Sequence, residues 1–186
     1  IAQAKECKRA VQVDIYDFEA DEAQSFNFGY YCIIESMAHL FQSYYDEEAE
    51  KEHPNIPYHS VQIVTRKIYP EITENKKMLI SICLCSLMDF NPGVFFFEVI
   101  DFAKKNPQLN GVELYSLFLR EFSVRYQGEL LPIKDLYLLY LDNLESSLKI
   151  ISNDQLDYYK DVLEHCRVEA SQNRSLLLEF LYYEDI

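Results

Sequence analysis

Glycine sets the tightest limit on what this chain can fold into, because only four occur in 186 residues. Asn110-Gly111 is the one pair of the Asn-Gly or Asp-Gly kind, so the tight-turn chemistry of a sheet-rich fold is nearly missing. Helices are left to bury an apolar fraction of 49%, which is interleaved with charge in the manner of a globular chain. Helix-start chemistry recurs. Asp21 with Gln24, Asn110 with Glu113 and Ser152 with Gln155 match or approximate capping boxes, in which two side chains satisfy free amides reciprocally.

Large apolar residues at Phe26, Tyr30, Ile33, Met37, Leu40 or Phe41, and Tyr44 lay one stripe along a predicted long helix. That helix runs into Asp46-Glu47-Glu48-Ala49-Glu50-Lys51-Glu52, and His53-Pro54-Asn55-Ile56-Pro57 forbids its continuation. Residues 53–59 are thus a candidate loop or sub-boundary within a single helical domain spanning 1–186. A shorter segment covers Ser60 to Tyr69. The run from Thr73 to Phe90 is apolar nearly all round, as expected of a central helix buried on several sides. Asn91-Pro92-Gly93 then breaks the chain, with Asn91 as cap, and leads into a helix from Val94 to Lys105 that Asn106-Pro107 ends. Further helices are predicted at Val112 to Tyr126, with Tyr115, Phe118, Leu119 and Phe122 on one face, then at Ile133 to Ile150, Asn153 to Ala170 and Arg174 to Tyr183.

Helices of similar length joined by short breaks predict an all-α fold: an array of antiparallel helices, arranged as a short HEAT- or TPR-like solenoid or as a compact helical bundle. Tetratricopeptide and ankyrin signatures are absent, so periodicity does not choose between them. The stretch from Leu178 to Ile186 resembles one helix of the HEAT-type domain at the end of several translation initiation factors. The tryptophan-bearing segment that follows in that family has no counterpart in a chain without tryptophan, and the likeness assigns no family.

Seventeen basic and thirty-one acidic residues leave a formal charge of −14, which repels a phosphate backbone and excludes nucleic acid as the expected partner. Cys7, Cys32, Cys83, Cys85 and Cys166 are odd in number and lack framework spacing, which points to a reducing, intracellular compartment. The opening IAQAKECKRA carries neither a signal-peptide core nor an initiator methionine, and reads as the start of a piece of something longer. The most apolar run, MLISICLCSLM, is about half the ~20 residues needed to span a membrane, so no membrane partner is expected.

No dinucleotide, Walker, nucleophile-elbow or HExxH motif occurs, and no catalytic residue, metal or cofactor is expected. Cys83 and Cys85 are two apart, and on a helix they point in nearly opposite directions, which suits core cysteines better than a shared ion. His165 and Cys166 are adjacent on a helix and diverge by about 100°, so each needs partners from elsewhere to act as base and nucleophile. His53 and His59 could ligate zinc with Glu50 or Glu52, but without any recognised spacing they read as surface-loop histidines. His39 reads as a hydrogen-bonded, half-buried residue.

Fifteen tyrosines and twelve phenylalanines remain, several as doublets: Tyr30-Tyr31, Tyr44-Tyr45, Tyr158-Tyr159 and Tyr182-Tyr183. A helical doublet predicts one ring packed inward and one at the rim, where an aromatic body with a hydroxyl suits a protein interface. Tyr44 and Tyr45 followed by Asp46, Glu47 and Glu48 join aromatic anchors to concentrated negative charge, and form the expected partner-binding site for a basic or amphipathic segment of another protein. The expected function is therefore a non-enzymatic protein-protein interaction or scaffold domain. Two rivals are a compact Bcl-2-like regulator that holds a partner helix in a groove, and an unfamiliar helical enzyme using a Cys/His pair.

Overall fold

Val11, Val13, Phe26 and Phe28 alternate with the exposed Gln12, Asp14, Ser25 and Asn27, a period of two that puts each set on one face of a pleated strand. The structure, a computed structural model describing residues 10–17, 22–46, 48, 53–151 and 156–183, pairs these stretches as an antiparallel hairpin of β1 (Ala10–Asp17) and β2 (Glu22–Gly29). The stripe assigned to one helix from Phe26 therefore begins on a strand, and Gln24, expected in a capping box, lies opposite Ile15 in the ladder. The sequence between the two strands, Phe18 to Asp21, contains no glycine, so it gives no hairpin signal.

The described residues are mostly helical and fall into two compact units, residues 1–111 and 112–186. In the first unit the hairpin leads into α1 (Tyr30–Tyr45), whose buried face is Cys32, Ile33, Ser36, His39, Leu40 and Ser43. This stripe is rotated from the expected one: Tyr30 is exposed, while Met37 and Tyr44 are half-buried. Small polar residues take the inner face because chain must pack closely there. Ser36 Oγ donates to the Pro57 carbonyl at 2.7 Å and accepts from the Val61 amide at 3.2 Å, fastening the proline-rich segment to the helix. That segment, α2 (Asn55–Tyr58), is one irregular turn with Ile56 extended (φ −119°, ψ 127°) and a cis peptide before Pro57.

Next come α3 (Ser60–Ile68), a single 3-10 turn at Pro70–Ile72, and α4 (Lys76–Ser86). The helix expected over Thr73 to Phe90 is thus shorter at both ends, but its core position holds: Met78, Leu79, Ile80, Ser81, Ile82, Cys83, Cys85 and Ser86 are all buried. It packs between α1 and α5 (Pro92–Lys105). Asn91 and Pro92 start α5 as expected, although the Asn91 side chain makes no capping bond. Phe28 links sheet to helix, with ring centroids 5.0 Å from Phe96 and 6.2 Å from Phe97. The approach is close enough that a Cβ on Gly93 would meet the Phe28 carbonyl at 2.2 Å, so glycine is needed there for space.

In the second unit, α6 (Gly111–Glu121) buries Leu114, Tyr115, Phe118 and Leu119. It stops five residues before the predicted end, because Ser123–Tyr126 and Glu129–Pro132 form a second hairpin, β3 and β4. Gln127 and Gly128 both take positive φ, 50° and 90°, which suits a two-residue hairpin turn despite the missing asparagine or aspartate. α7 (Ile133–Ile151) and α8 (Leu156–Ser171) follow, then α9 (Leu176–Tyr183). Asn173, at φ 52°, ends the α8 region, with the Arg174 amide bonding back to the Glu169 carbonyl at 3.0 Å. The capping residues expected at Ser152 and Gln155 lie outside the described residues.

Candidate functional site

The carboxyl end of α1 carries the residues singled out above. Tyr44 is half-buried, while Tyr45 is 46% exposed at the rim, as expected of a helical doublet. Their rings meet at 5.0 Å and 90°, and Tyr45 also meets Phe41 at 5.3 Å. Asp46 ends the helix, its amide bonding the Gln42 carbonyl at 3.0 Å, and its Oδ1 accepts the Glu48 amide at 3.1 Å. Both acidic side chains are exposed, and Glu47 lies outside the described residues.

Beside them opens a cleft of about 550 Å³ lined by Tyr44, Glu71, Glu74, Asn75, Lys76 and Lys77. Asn75 caps α4 by accepting the Met78 amide at 3.0 Å, which sets Lys76 and Lys77 in the first turn of that helix. Lys76 Nζ donates to the Ser43 carbonyl at 3.0 Å, and Lys77 Nζ stands 4.9 Å from the centroid of the Tyr44 ring. Glu74 lies 3.6 Å from Arg66. The cleft residues come from 27 or more positions beyond Tyr44, so no local spacing could have revealed them.

Three histidines meet elsewhere in this unit. His39 is buried, with its ring centroid 4.6 Å from His59 and 5.2 Å from His53, and the Tyr58 ring completes the nest. His59 Nδ1 lies 3.1 Å from Gln62 Oε1. Among the described residues no group of three or more His, Cys, Asp or Glu is arranged to hold a metal ion, and Glu50 and Glu52 lie outside them.

Cys83 and Cys85 are buried free thiols, as read from their spacing, and burial pushes both thiols up. In the second unit, His165 Nε2 pairs with Glu169 Oε1 at 2.9 Å, while Cys166 neighbours Tyr137. Burial, then the Cys166 thiol, pushes the Tyr137 hydroxyl up. The adjacent His165 and Cys166 thus turn to different partners.

The remaining doublets divide. Tyr182 is half-buried beside an exposed Tyr183, whereas Tyr30 with Tyr31 and Tyr158 with Tyr159 are exposed as pairs, because the buried stripes of their helices fall elsewhere. No helix among the described residues is long and apolar enough to cross a membrane. No family model matches this sequence, and neither curated proteins nor solved structures show significant similarity to it.

Proposed function

We propose that this chain is a non-enzymatic protein-interaction domain, an intracellular adaptor built as an array of antiparallel helices. The end of α1 receives a basic or amphipathic segment of another protein through Tyr44, Tyr45, Asp46, Glu47 and Glu48. One observation carries this reading: the exposed Tyr45 ring meets Tyr44, which lines the cleft, and the exposed carboxylates of Asp46 and Glu48 follow directly in sequence. Aromatic anchors next to carboxylates suit a lysine- or arginine-bearing helix face, and the formal charge of −14 speeds its approach. Nucleic acid and membranes are not partners on this reading.

The test is a titration with a fluorescein-labelled peptide of repeating Lys-Leu-Leu-Lys. A variant carrying Tyr45→Ala, Asp46→Lys and Glu48→Lys, with unchanged circular dichroism, binds at least about tenfold more weakly, as loss of an aromatic anchor and reversal of rim charge require. Equal binding by the two proteins removes this surface from the reading.

A further inference from the structure

α1 is apolar on two opposite faces, and the fold encloses one of them. At about 100° per residue, the buried Cys32, Ile33, Ser36, His39, Leu40 and Ser43 cluster around the direction of Ser36. Tyr31, Ile34, Ala38, Phe41 and Tyr45 fall within about 40° of the opposite direction. They follow one another at alternating steps of three and four, the spacing by which one helix seats along another. Tyr31 is 62% and Tyr45 46% exposed, Ala38 is exposed, and Ile34 and Phe41 are half-buried. A helix that is apolar all round has to be enclosed, so this outer seam, about 20 Å long, is open to an occupant.

Charge around the seam selects that occupant. One flank carries Glu35 and Gln42, and α1 contains neither lysine nor arginine. Its carboxyl end adds the negative pole of the helix, and the exposed Asp46 and Glu48 follow Tyr45 in sequence. The other flank, with Met37 and Tyr44, turns toward α4, whose Lys76 bonds the Ser43 carbonyl and whose Lys77 stands beside the Tyr44 ring. Basic groups of an occupant therefore belong on the Glu35 side. A second copy of α1 would bring Glu35 and an acidic end with no lysine or arginine to match them. We propose that the outer seam of α1 is the bed for an amphipathic helix of another protein, apolar along the line over Ala38 and basic along the flank facing Glu35. This inference rests on the interaction reading above: it gives the partner segment its helical form and carries the contact from Tyr45 back to Tyr31. Ala38, the small residue in the middle of the seam, sets how closely the two helices approach.

The probe is the same labelled Lys-Leu-Leu-Lys peptide, whose leucines recur at helical spacing, beside a peptide of equal composition in which lysine and leucine strictly alternate. Both are titrated into wild type, Tyr31→Ala, Ala38→Gln and Tyr183→Ala, with circular dichroism unchanged in each variant. Ala38→Gln adds bulk without charge at an exposed position and weakens binding of the first peptide about tenfold, Tyr31→Ala weakens it about threefold, and Tyr183→Ala, on the second unit, leaves it as it is. The first peptide gains helical dichroism on binding, and the alternating peptide binds about tenfold more weakly. Unchanged binding by Tyr31→Ala or Ala38→Gln, while Tyr45→Ala, Asp46→Lys and Glu48→Lys together still weaken it, overturns the helix on the seam and leaves the interaction reading standing. Equal binding of the two peptides also overturns it, since charge alone is then recognised. Self-association of the free protein that Ala38→Gln abolishes overturns it too, because a second copy then occupies the seam. Absence of binding to wild type removes the interaction reading and this inference with it.

Discussion

The two units hold their helices together in different ways. In residues 1–111, α4 is buried along nearly its whole length, with Leu79, Ile80, Ile82, Cys83 and Cys85 fully inaccessible, and it is fixed by apolar packing. In residues 112–186, α8 buries only Leu163 and Ala170 among the side chains described, and its pairing with α7 carries a charged clamp. Arg167 reaches Asp142 at 3.0 Å and Glu145 at 2.5 Å, and Glu145 also takes Lys149 at 2.7 Å. A helix that is apolar all round has to be enclosed, whereas a helix with a narrow apolar stripe leaves its flanks to ion pairs at the surface.

Removing packing from the first unit should have the largest effect. Phe28→Ala empties a fully buried site against Phe96 and is expected to cost about 3–5 kcal/mol in urea denaturation. The same variant should make Cys83 and Cys85 label more readily with a thiol reagent, since they react only when their helix is uncovered. A loss near that expected at the surface would mean that β1 and β2 are not part of this core.

A smaller change is expected in the second unit. Arg167→Ala removes the shared partner of Asp142 and Glu145 and should cost about 1 kcal/mol, less in high salt, because these groups remain partly solvated. A salt-independent loss would show that the arginine acts through its packed stem instead.

The smallest effects are in pH dependence, and the units should differ in sign. Burial, then Asp89 and Asp101, raises the Glu98 carboxyl on α5, so its favourable contribution is present in acid and is lost as pH rises through its folded value. Lys149 and then Arg167 lower the Glu145 carboxyl, so its contribution is present above the ordinary carboxylate range and is lost as pH falls through its folded value. Near neutral pH, Glu98→Gln should therefore raise the urea midpoint and Glu145→Gln lower it, with both differences shrinking in acid. Shifts of the same sign would break the contrast.

Helix positions were largely legible because apolar periodicity and proline breaks are local signals, which is why α4, α5, α7 and α9 were found within a few residues. The hairpins were not. Phe26 fits a helical stripe with Tyr30 as well as a strand period with Phe28, and Gln127-Gly128 lacks the usual turn residue. At the candidate site, Tyr44, Tyr45, Asp46, Glu47 and Glu48 are a contiguous run in the sequence, of which Glu47 lies outside the described residues. Lys76, Lys77, Glu71 and Glu74 were not legible beside Tyr44, since only the packing of α4 on α1 brings them there. The nest of His39, His53 and His59 was hidden for the same reason: it depends on Ser36 fastening Pro57 to α1.

Partner recognition is proposed for the end of α1 and not for the second unit, whose exposed Tyr158, Phe180 and Tyr183 offer a rival surface. Amide chemical-shift mapping of the labelled protein with the Lys-Leu-Leu-Lys peptide decides between them. Perturbations are expected to concentrate at residues 41–48 and 71–77; perturbations confined to residues 112–186, or none at saturating peptide, would contradict recognition at the end of α1.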